Sequence, residues 1–227
     1  KWPVKRCGVY ELDYFHNINS YESIPSGAVS SELPATRLFS DSFVELMAWF
    51  WTEGYIHGKA IEISQAKSEN FERIRKSIRE TFDEKFWVER EPRLRKNTNL
   101  PLIRWYIYHI AAFAILRWCD GKKVVSHEFI NRLTKTQLEL FVEVSLLADG
   151  HNNHLKQAHA PRTEAFAYAN LLLGKKVSYS VEKMGNYGDH LAIDIFTTQP
   201  NVVPYNYVRR GKCKKVKYSG RVWCPTV

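Results

Sequence analysis

The sequence predicts an α+β fold made of two similar halves, because two stretches repeat the same unusual order of features. Residues 43–54 (FVELMAWFWTEG) and 141–150 (FVEVSLLADG) are almost continuously apolar, and each ends in an acidic residue followed by glycine. After each stretch come a hairpin pattern, a helix pattern and a second hairpin pattern. We therefore expect an internal duplication with two αββαββα halves.

The helix of the first apolar stretch is predicted to begin at the capping box Ser42-Phe-Val-Glu45. In such a box the serine hydroxyl and the glutamate carboxylate accept hydrogen bonds from N–H groups that the helix leaves without partners. A similar box, Thr136-Gln-Leu-Glu139, precedes the second apolar stretch. The two helices are thus expected to match at both ends.

The remaining elements of the first half follow from periodicity. Residues 55–65 alternate as a hairpin that turns near Gly58, and residues 71–82 place apolar side chains at helical spacing. A second strand pair is predicted within residues 86–108, with its turn at the Asn-rich stretch 97–99. An apolar helix at about 109–119 would complete this half.

The second half is predicted to repeat this order, with a helix at about 162–173 and two strands joined by the turn GNYGD, at 177–183 and 190–197. The sequence before the first helix is rich in Ser, Pro and Asn, which predicts an irregular extension. The expected organisation is an N-terminal extension, two halves and a basic C-terminal tail, at residues 1–39, 40–125, 126–200 and 201–227.

The acid at the end of each apolar helix needs an explanation, because the negative end of a helix dipole favours a cation there. Two helices that are apolar on most sides are expected to pack against each other, through small side chains such as Ala48, Thr52, Val144 and Ala148. Glu53 and Asp149 would then lie side by side and repel each other. A divalent cation removes that cost, and hard oxygen ligands suit magnesium. Each acid could instead be an ordinary solvent-facing residue at a helix end. That alternative explains one such helix, but it explains two matched helices less well.

The charge of the chain favours a polyanionic partner. The formal net charge is +9 and the pI is near 9.3, which suits nucleic acid, an anionic membrane or simply a basic soluble protein. The uncharged apolar run from Trp105 to Leu116 is shorter than the roughly 18 residues that a membrane span needs, so no membrane partner is expected. The cysteines are far apart and no secretory signal is visible, which favours an intracellular protein.

The two acid-glycine stretches resemble the motifs of the LAGLIDADG homing endonucleases, in the single-chain form with two motifs. LMAWFWTEG (46–54) and VEVSLLADG (142–150) carry the resemblance, which covers most of residues 40–200. It implies a saddle in which the motif helices pack at the interface and two sheets straddle double-stranded DNA. The implied activity is cleavage of both strands of a long asymmetric site by a monomer, leaving short 3′ overhangs. The implied cofactor is Mg²⁺, for which Mn²⁺ or Ca²⁺ can substitute in binding.

The resemblance also implies roles for particular residues. Glu53 and Asp149 would be the catalytic, metal-binding acids, assisted by the backbone carbonyls of Thr52 and Ala148. Gln65 corresponds to a polar residue that orders the attacking water. In the stretch GKKVVSHEFI, Lys123 would be the basic catalytic residue, although Lys122 is an open alternative.

Basic residues on the predicted strands and on the tail are candidates for DNA contact. They are Arg90, Arg93, Arg95, Lys96, Arg104, Lys156, Lys175, Lys176, Lys183, Arg209, Arg210, Lys212, Lys214, Lys215 and Lys217. Solubilising surface charge is the alternative reading. Residues 217–227 (KYSGRVWCPTV) resemble the strand that resumes the splicing domain of an intein after an inserted endonuclease, so an intein origin is expected.

Two other functions are compatible with the sequence. A non-catalytic DNA-binding or RNA-binding protein, like a maturase, could keep the same fold, and the divergent first motif favours it. A helical protein-interaction module without nucleic acid would require Glu53 and Asp149 to lie far apart in space. The position of these two acids therefore distinguishes the last alternative from the others.

Overall fold

The computed structural model describes residues 33–94, 101–120, 123–151, 153–157, 160–183 and 189–196. These residues divide into two compact units, of which one consists of residues 33–151 and the other of the described residues that follow. Both units combine helices with antiparallel strands, which confirms the predicted α+β class. The saddle arrangement stays a prediction.

The described residues of the unit 33–151 contain five α-helices and five strands. In chain order they are α1 (Asp41–Glu53), β1 (Gly54–His57), β2 (Ala60–Gln65), α2 (Phe71–Thr81), β3 (Trp87–Leu94), β4 (Pro101–Ile107), α3 (His109–Leu116), α4 (His127–Asn131), α5 (Lys135–Asp149) and β5 (Gly150–His151). Four of the strands form a sheet in the order β1-β2-β4-β3. The predicted hairpin turn is confirmed at Gly58, whose φ of 58° suits glycine.

The other unit contains β6 (His154–Gln157), α6 (Glu164–Leu172), β7 (Lys176–Lys183) and β8 (Asp189–Phe196). Its strands β6, β8 and β7 are antiparallel and have the order that β2, β4 and β3 have in the first sheet. The chain thus repeats the order of helix, hairpin, helix and hairpin, as the sequence predicts. The turns predicted at 97–99 and at GNYGD lie outside the described residues, apart from Asp189.

The N-caps of both helices lie two residues before the predicted capping boxes, and only α5 forms such a box. Ser40, not Ser42, is the N-cap of α1, and its hydroxyl accepts a hydrogen bond from the N–H of Phe43. The hydroxyl of Ser42 instead donates to Glu80 of α2. At α5 the capping box is formed by Thr134 rather than Thr136, with Gln137 as its partner. Ser42 and Glu45, the two residues of the predicted box, instead contact Glu80 and Arg73 of α2.

Two predicted helices are shorter than expected. The helix predicted at 109–119 ends at Leu116, because the chain then turns and Cys119 pairs with Val125 in an isolated β-bridge. The helix predicted at 162–173 spans Glu164–Leu172 and follows a 3-10 turn over Ala160–Thr163. No described helix has the length and apolarity that a membrane crossing requires.

Helices α1 and α5 pack against each other in parallel, as predicted. At their N-terminal ends, the Gln137 side chain donates to the Phe39 carbonyl at 2.8 Å and to the Asp41 carboxylate at 3.0 Å. Near their C-terminal ends, the Trp51 indole N–H donates to the Ser145 hydroxyl at 2.8 Å. The small side chains expected at the contact are all buried, namely Ala48, Thr52, Val144 and Ala148. The last residues of both helices therefore leave the pair at the same end.

Arg73 of α2 fastens this helix pair from the side. Its Nε donates to Glu45 of α1 at 2.6 Å, and its Nη1 donates to Glu143 of α5 at 2.9 Å. Because a guanidinium has donors in a rigid planar fork, one side chain can hold two carboxylates at a fixed separation. The helix pair is thus held at its start, along its side and near its end.

The glycine after each of these helices is required by close backbone approach. A Cβ on Gly54 would lie 2.2 Å from the Phe50 carbonyl oxygen, and one on Gly150 would lie 2.7 Å from the Leu146 Cα. Both obstacles are backbone atoms of the preceding helical turn, which cannot move without bending the helix. Any side chain at either position would therefore push the following strand away from the helix end.

We expect Gly150→Ala to lower the free energy of unfolding by about 1–3 kcal/mol, because the added methyl group overpacks the helix end. Chemical denaturation of the variant beside Glu139→Ala, an exposed position on the same helix, measures the effect. Equal stability of the two variants would contradict this assignment for Gly150.

Candidate active site

The parallel packing of α1 and α5 brings Glu53 and Asp149 together at one end of the helix pair. Burial of Glu53 and the nearby charge of Asp149 raise the pKa of the Glu53 carboxyl to about 7. A hydrogen bond from Gln65 and the charges of Lys67 and Lys123 act in the opposite direction but do not offset the rise. Ionisation of Glu53 is therefore unfavourable in this buried site, which favours a proton or a cation beside the two acids.

Gln65, at the end of β2, is directly hydrogen-bonded to one of these acids. Its amide Nε2 donates to the Glu53 Oε1 at 3.1 Å. Its amide oxygen accepts the backbone N–H groups of Ala66 at 2.8 Å and of Lys67 at 2.9 Å. Because both ends of the amide are engaged and the side chain is buried, Gln65 fixes the orientation of the Glu53 carboxylate. The structure thus places Gln65 in the site, in contact with an acid.

Lys123 also lies at the site. Its side chain is only 8% exposed, and its Nζ donates to the Thr52 carbonyl at 3.0 Å. Its backbone has a φ of 62°, in the left-handed region that is unfavourable for residues with a Cβ. The chain thus adopts a strained conformation at the residue whose ammonium group reaches the end of α1. The alternative, Lys122, lies outside the described residues.

Lys67 is a site residue that the sequence reasoning missed. It follows β2 by two residues, and its Nζ donates to the carbonyls of Leu147 at 3.0 Å and of Ala148 at 2.7 Å. The only sequence signal was its position two residues after Gln65. Each carbonyl that precedes an acid thus accepts a hydrogen bond from a lysine, which suits the negative end of a helix dipole.

The donor atoms at this helix end fit a hard divalent cation. Within the described residues, no three or more His, Cys, Asp or Glu side chains are placed to hold a metal ion. Magnesium, however, is commonly bound by one or two carboxylates, with water and substrate phosphates as its other ligands. Glu53 and Asp149 supply two carboxylates, and a cation between them would offset the burial and the like charge that raise the pKa of Glu53. The carbonyls of Thr52 and Ala148 already accept hydrogen bonds from lysines.

The first sheet has a polar face on which two of the predicted DNA-contact residues lie. Ser64 pairs with Arg104, and Arg104 pairs with Arg90, so these side chains form one row across β2, β4 and β3. The Arg90 guanidinium is exposed and lies 5.7 Å from the ring centre of Tyr106. The Nε of Arg104 is buried and has no hydrogen-bond partner. Both arginines thus lie on the same polar face of the first sheet.

Glu62, in the middle of this face, is a second residue that the sequence reasoning passed over. It accepts hydrogen bonds from the Ser64 hydroxyl at 2.6 Å and from His57 Nε2 at 3.0 Å. Burial opposes ionisation of Glu62, but hydrogen bonds, including one from Tyr106, outweigh burial and lower its pKa. The nearby charge of Arg104 acts in the same direction. Glu62 is therefore an ionised carboxylate whose hydrogen bonds hold the Ser64 and His57 side chains in place.

The other predicted DNA-contact residues are scattered or undescribed. Arg93 lies in β3 opposite Leu102, Lys156 lies in β6, and Lys175 precedes β7. Lys176 and Lys183 are the first and last residues of β7. The residues that lie outside the described ones are Arg95, Lys96, Arg209, Arg210, Lys212, Lys214, Lys215 and Lys217.

Comparison with known proteins gives one kind of match. No family model and no curated protein matches the sequence. Among solved structures, the chain is similar to a substituted form of I-DmoI in complex with its target DNA, nicked in the coding strand, in the presence of manganese. The similarity covers 69% of this chain and 88% of that chain, with a TM-score of 0.45 and 10% sequence identity. At these values it does not by itself assign a fold or a function.

We expect Glu53→Gln to stabilise the protein in the absence of metal at about pH 8 and to have little effect at about pH 5. Folded Glu53 keeps its proton up to a pKa of about 7, whereas a carboxyl in the unfolded chain releases it near 4.5. The folded state then binds more protons in this window, so wild-type stability falls as the pH rises, by up to about 3 kcal/mol. Glutamine has no proton to lose.

Chemical denaturation of both proteins in a chelator, across this pH range, measures the difference. The exposed Glu139→Gln is the matched control and should follow the wild type. A difference between Glu53→Gln and wild type that is independent of pH would contradict the raised pKa.

Proposed function

We propose that this protein is a DNA endonuclease of the LAGLIDADG type, which hydrolyses phosphodiester bonds at the common end of α1 and α5. The observation that carries the proposal is the convergence of Glu53 and Asp149, with a lysine on the carbonyl that precedes each of them. A helical interaction module would have no reason to gather two acids, two lysines and a buried glutamine at one point. The sequence motifs, the position of the acids and their chemistry all support the same reaction class.

In this proposal each residue of the site has a distinct role in the reaction. Glu53 and Asp149 would hold a magnesium ion through their carboxylates, and Gln65 keeps the Glu53 carboxylate in its orientation. Such an ion would supply positive charge to the phosphate and would lower the pKa of a water molecule. Lys123, which is fixed by burial, places a positive charge beside the site, where it stabilises the charge that develops on the phosphate.

The substrate that fits this site best is double-stranded DNA. The net charge of +9 attracts a polyanion, and Arg90 and Arg104 lie in one row on the polar face of the first sheet. Two acids at the end of a duplicated helix suit a duplex, with one acid for each strand. The wider proposal is a monomer acting inside the cell on a long asymmetric site, leaving short 3′ overhangs, and derived from an intein.

Replacement of either acid is expected to abolish cleavage while leaving DNA binding. With magnesium and a randomised library of duplex DNA, wild-type protein should yield one cut sequence. Glu53→Gln and Asp149→Asn should each reduce the cleavage rate at that sequence by at least about 100-fold, since each removes a metal ligand. Glu139→Gln, which removes an exposed acid near the other end of α5, should cleave like the wild type.

Two other outcomes of this experiment would contradict the proposed nuclease activity. If the wild type selects one DNA sequence but never cuts it with magnesium or manganese, the protein is a non-catalytic binder on the same fold. If it selects no sequence at all, the proposed function is wrong.

Arg90→Ala is expected to weaken DNA binding and to reduce the dependence of affinity on salt. A lost phosphate contact should lower the slope of log K against log salt by about 1, whereas a lost base contact should relax the sequence preference at one position. Arg79→Ala, an exposed arginine on α2, is the control with the same loss of charge. Equal affinities of the two variants at all salt concentrations would exclude Arg90 from the interface.

A further inference from the structure

The two lysines at the helix ends donate to equivalent carbonyls but differ in burial. Lys123 is 8% exposed, so the packing around its side chain restricts movement of its ammonium group away from the Thr52 carbonyl. Lys67 is an exposed residue that follows β2, and its Nζ donates to the Ala148 carbonyl at 2.7 Å. A lysine stem has four rotatable carbons, so the Lys67 ammonium can swing away while its backbone stays in place.

The carbonyl that Lys67 holds is one of the oxygen atoms that a cation between the acids would face. Ala148 precedes Asp149, and the Nζ of Lys67 lies 2.7 Å from the Ala148 oxygen and 3.0 Å from the Leu147 oxygen. These oxygens form the negative end of the α5 dipole, beside two carboxylates. An ammonium group and a divalent cation at this place would repel each other and would compete for the same oxygen.

We propose that Lys67 is an exchangeable counter-cation, which holds the end of α5 when no divalent cation is bound and leaves the Ala148 carbonyl when one binds. Lys123 stays on the Thr52 carbonyl in both states. This inference rests on the metal site of the proposed function, although not on DNA cleavage itself. The chain thus carries its own substitute for the metal at one helix end and a permanent positive charge at the other.

Lys67→Met is expected to have opposite effects with and without metal. Without metal the variant should lose the hydrogen bonds to α5, and its melting temperature should fall by about 2–4 °C. With metal the competing ammonium is gone, so Mn²⁺ should bind about 10-fold more tightly than to the wild type. At saturating Mn²⁺ the two proteins should melt at the same temperature.

The experiment uses the full chain, with Mn²⁺ as the probe and chelator as the metal-free state. Free Mn²⁺ measured by electron paramagnetic resonance gives the affinity, and thermal unfolding gives the stability. Lys76→Met, an exposed lysine on α2, controls for the change in net charge. Lys123→Met should melt at a lower temperature than the wild type both with and without Mn²⁺. Repeating Lys67→Met in the Asp149→Asn background shows whether the gain belongs to this site, because it should then disappear.

Three results would overturn the inference. An unchanged or weaker Mn²⁺ affinity of Lys67→Met, in a protein whose wild type binds Mn²⁺ and cuts DNA, rejects the exchange and leaves the nuclease intact. A loss of melting temperature that persists undiminished at saturating Mn²⁺ shows that Lys67 is a structural link in both states. Absence of Mn²⁺ binding by the wild type and every variant rejects the metal site, and the proposed function with it.

Discussion

The parallel packing of α1 against α5 is the constraint on which the rest of this structure depends. Most side chains of α1 and one whole side of α5 are buried, and each helix covers apolar side chains of the other. Parallel packing puts two like helix ends, each with an acid, at one point. Burial of Glu53 and the nearby charge of Asp149 raise the pKa of Glu53, and the lysines and Gln65 offset this rise only in part.

The sequence predicted the elements well because their periodicity is local. Hairpins, the amphipathic helix α2 and the two apolar helices all follow from spacing within about ten residues, and the acid pair followed from the duplication. The N-caps lie two residues before the predicted boxes because Ser or Thr stands at both positions of each helix start. Ser42 is engaged by the distant Glu80, and Gln137 by the distant Asp41. Lys67 was missed for the same reason, since its partner Ala148 lies 81 positions along the chain.

The polar face of the first sheet shows how an acid can be tolerated where DNA is proposed to bind. Glu62 is almost fully buried, and its oxygens are occupied by hydroxyl and imidazole groups. A carboxylate that is shielded in this way repels a phosphate less than an exposed one would. Glu62 also leaves Arg104 beside a fixed negative charge, so the arginine side chain is oriented before any ligand arrives.

The compact unit of residues 33–151 does not coincide with one repeat of the sequence pattern, because side-chain contacts join α5, the first helix of the second repeat, to α1 and α2. Gln137, Arg73 and Trp51 tie α5 to the preceding elements, and residues 33–151 form one compact unit. A fragment that stopped before α5 would expose the indole of Trp51 to water and leave Arg73 with one of its two carboxylates. Such a half-protein would aggregate or pair with a second copy, which is the state from which a duplicated and fused gene could have begun.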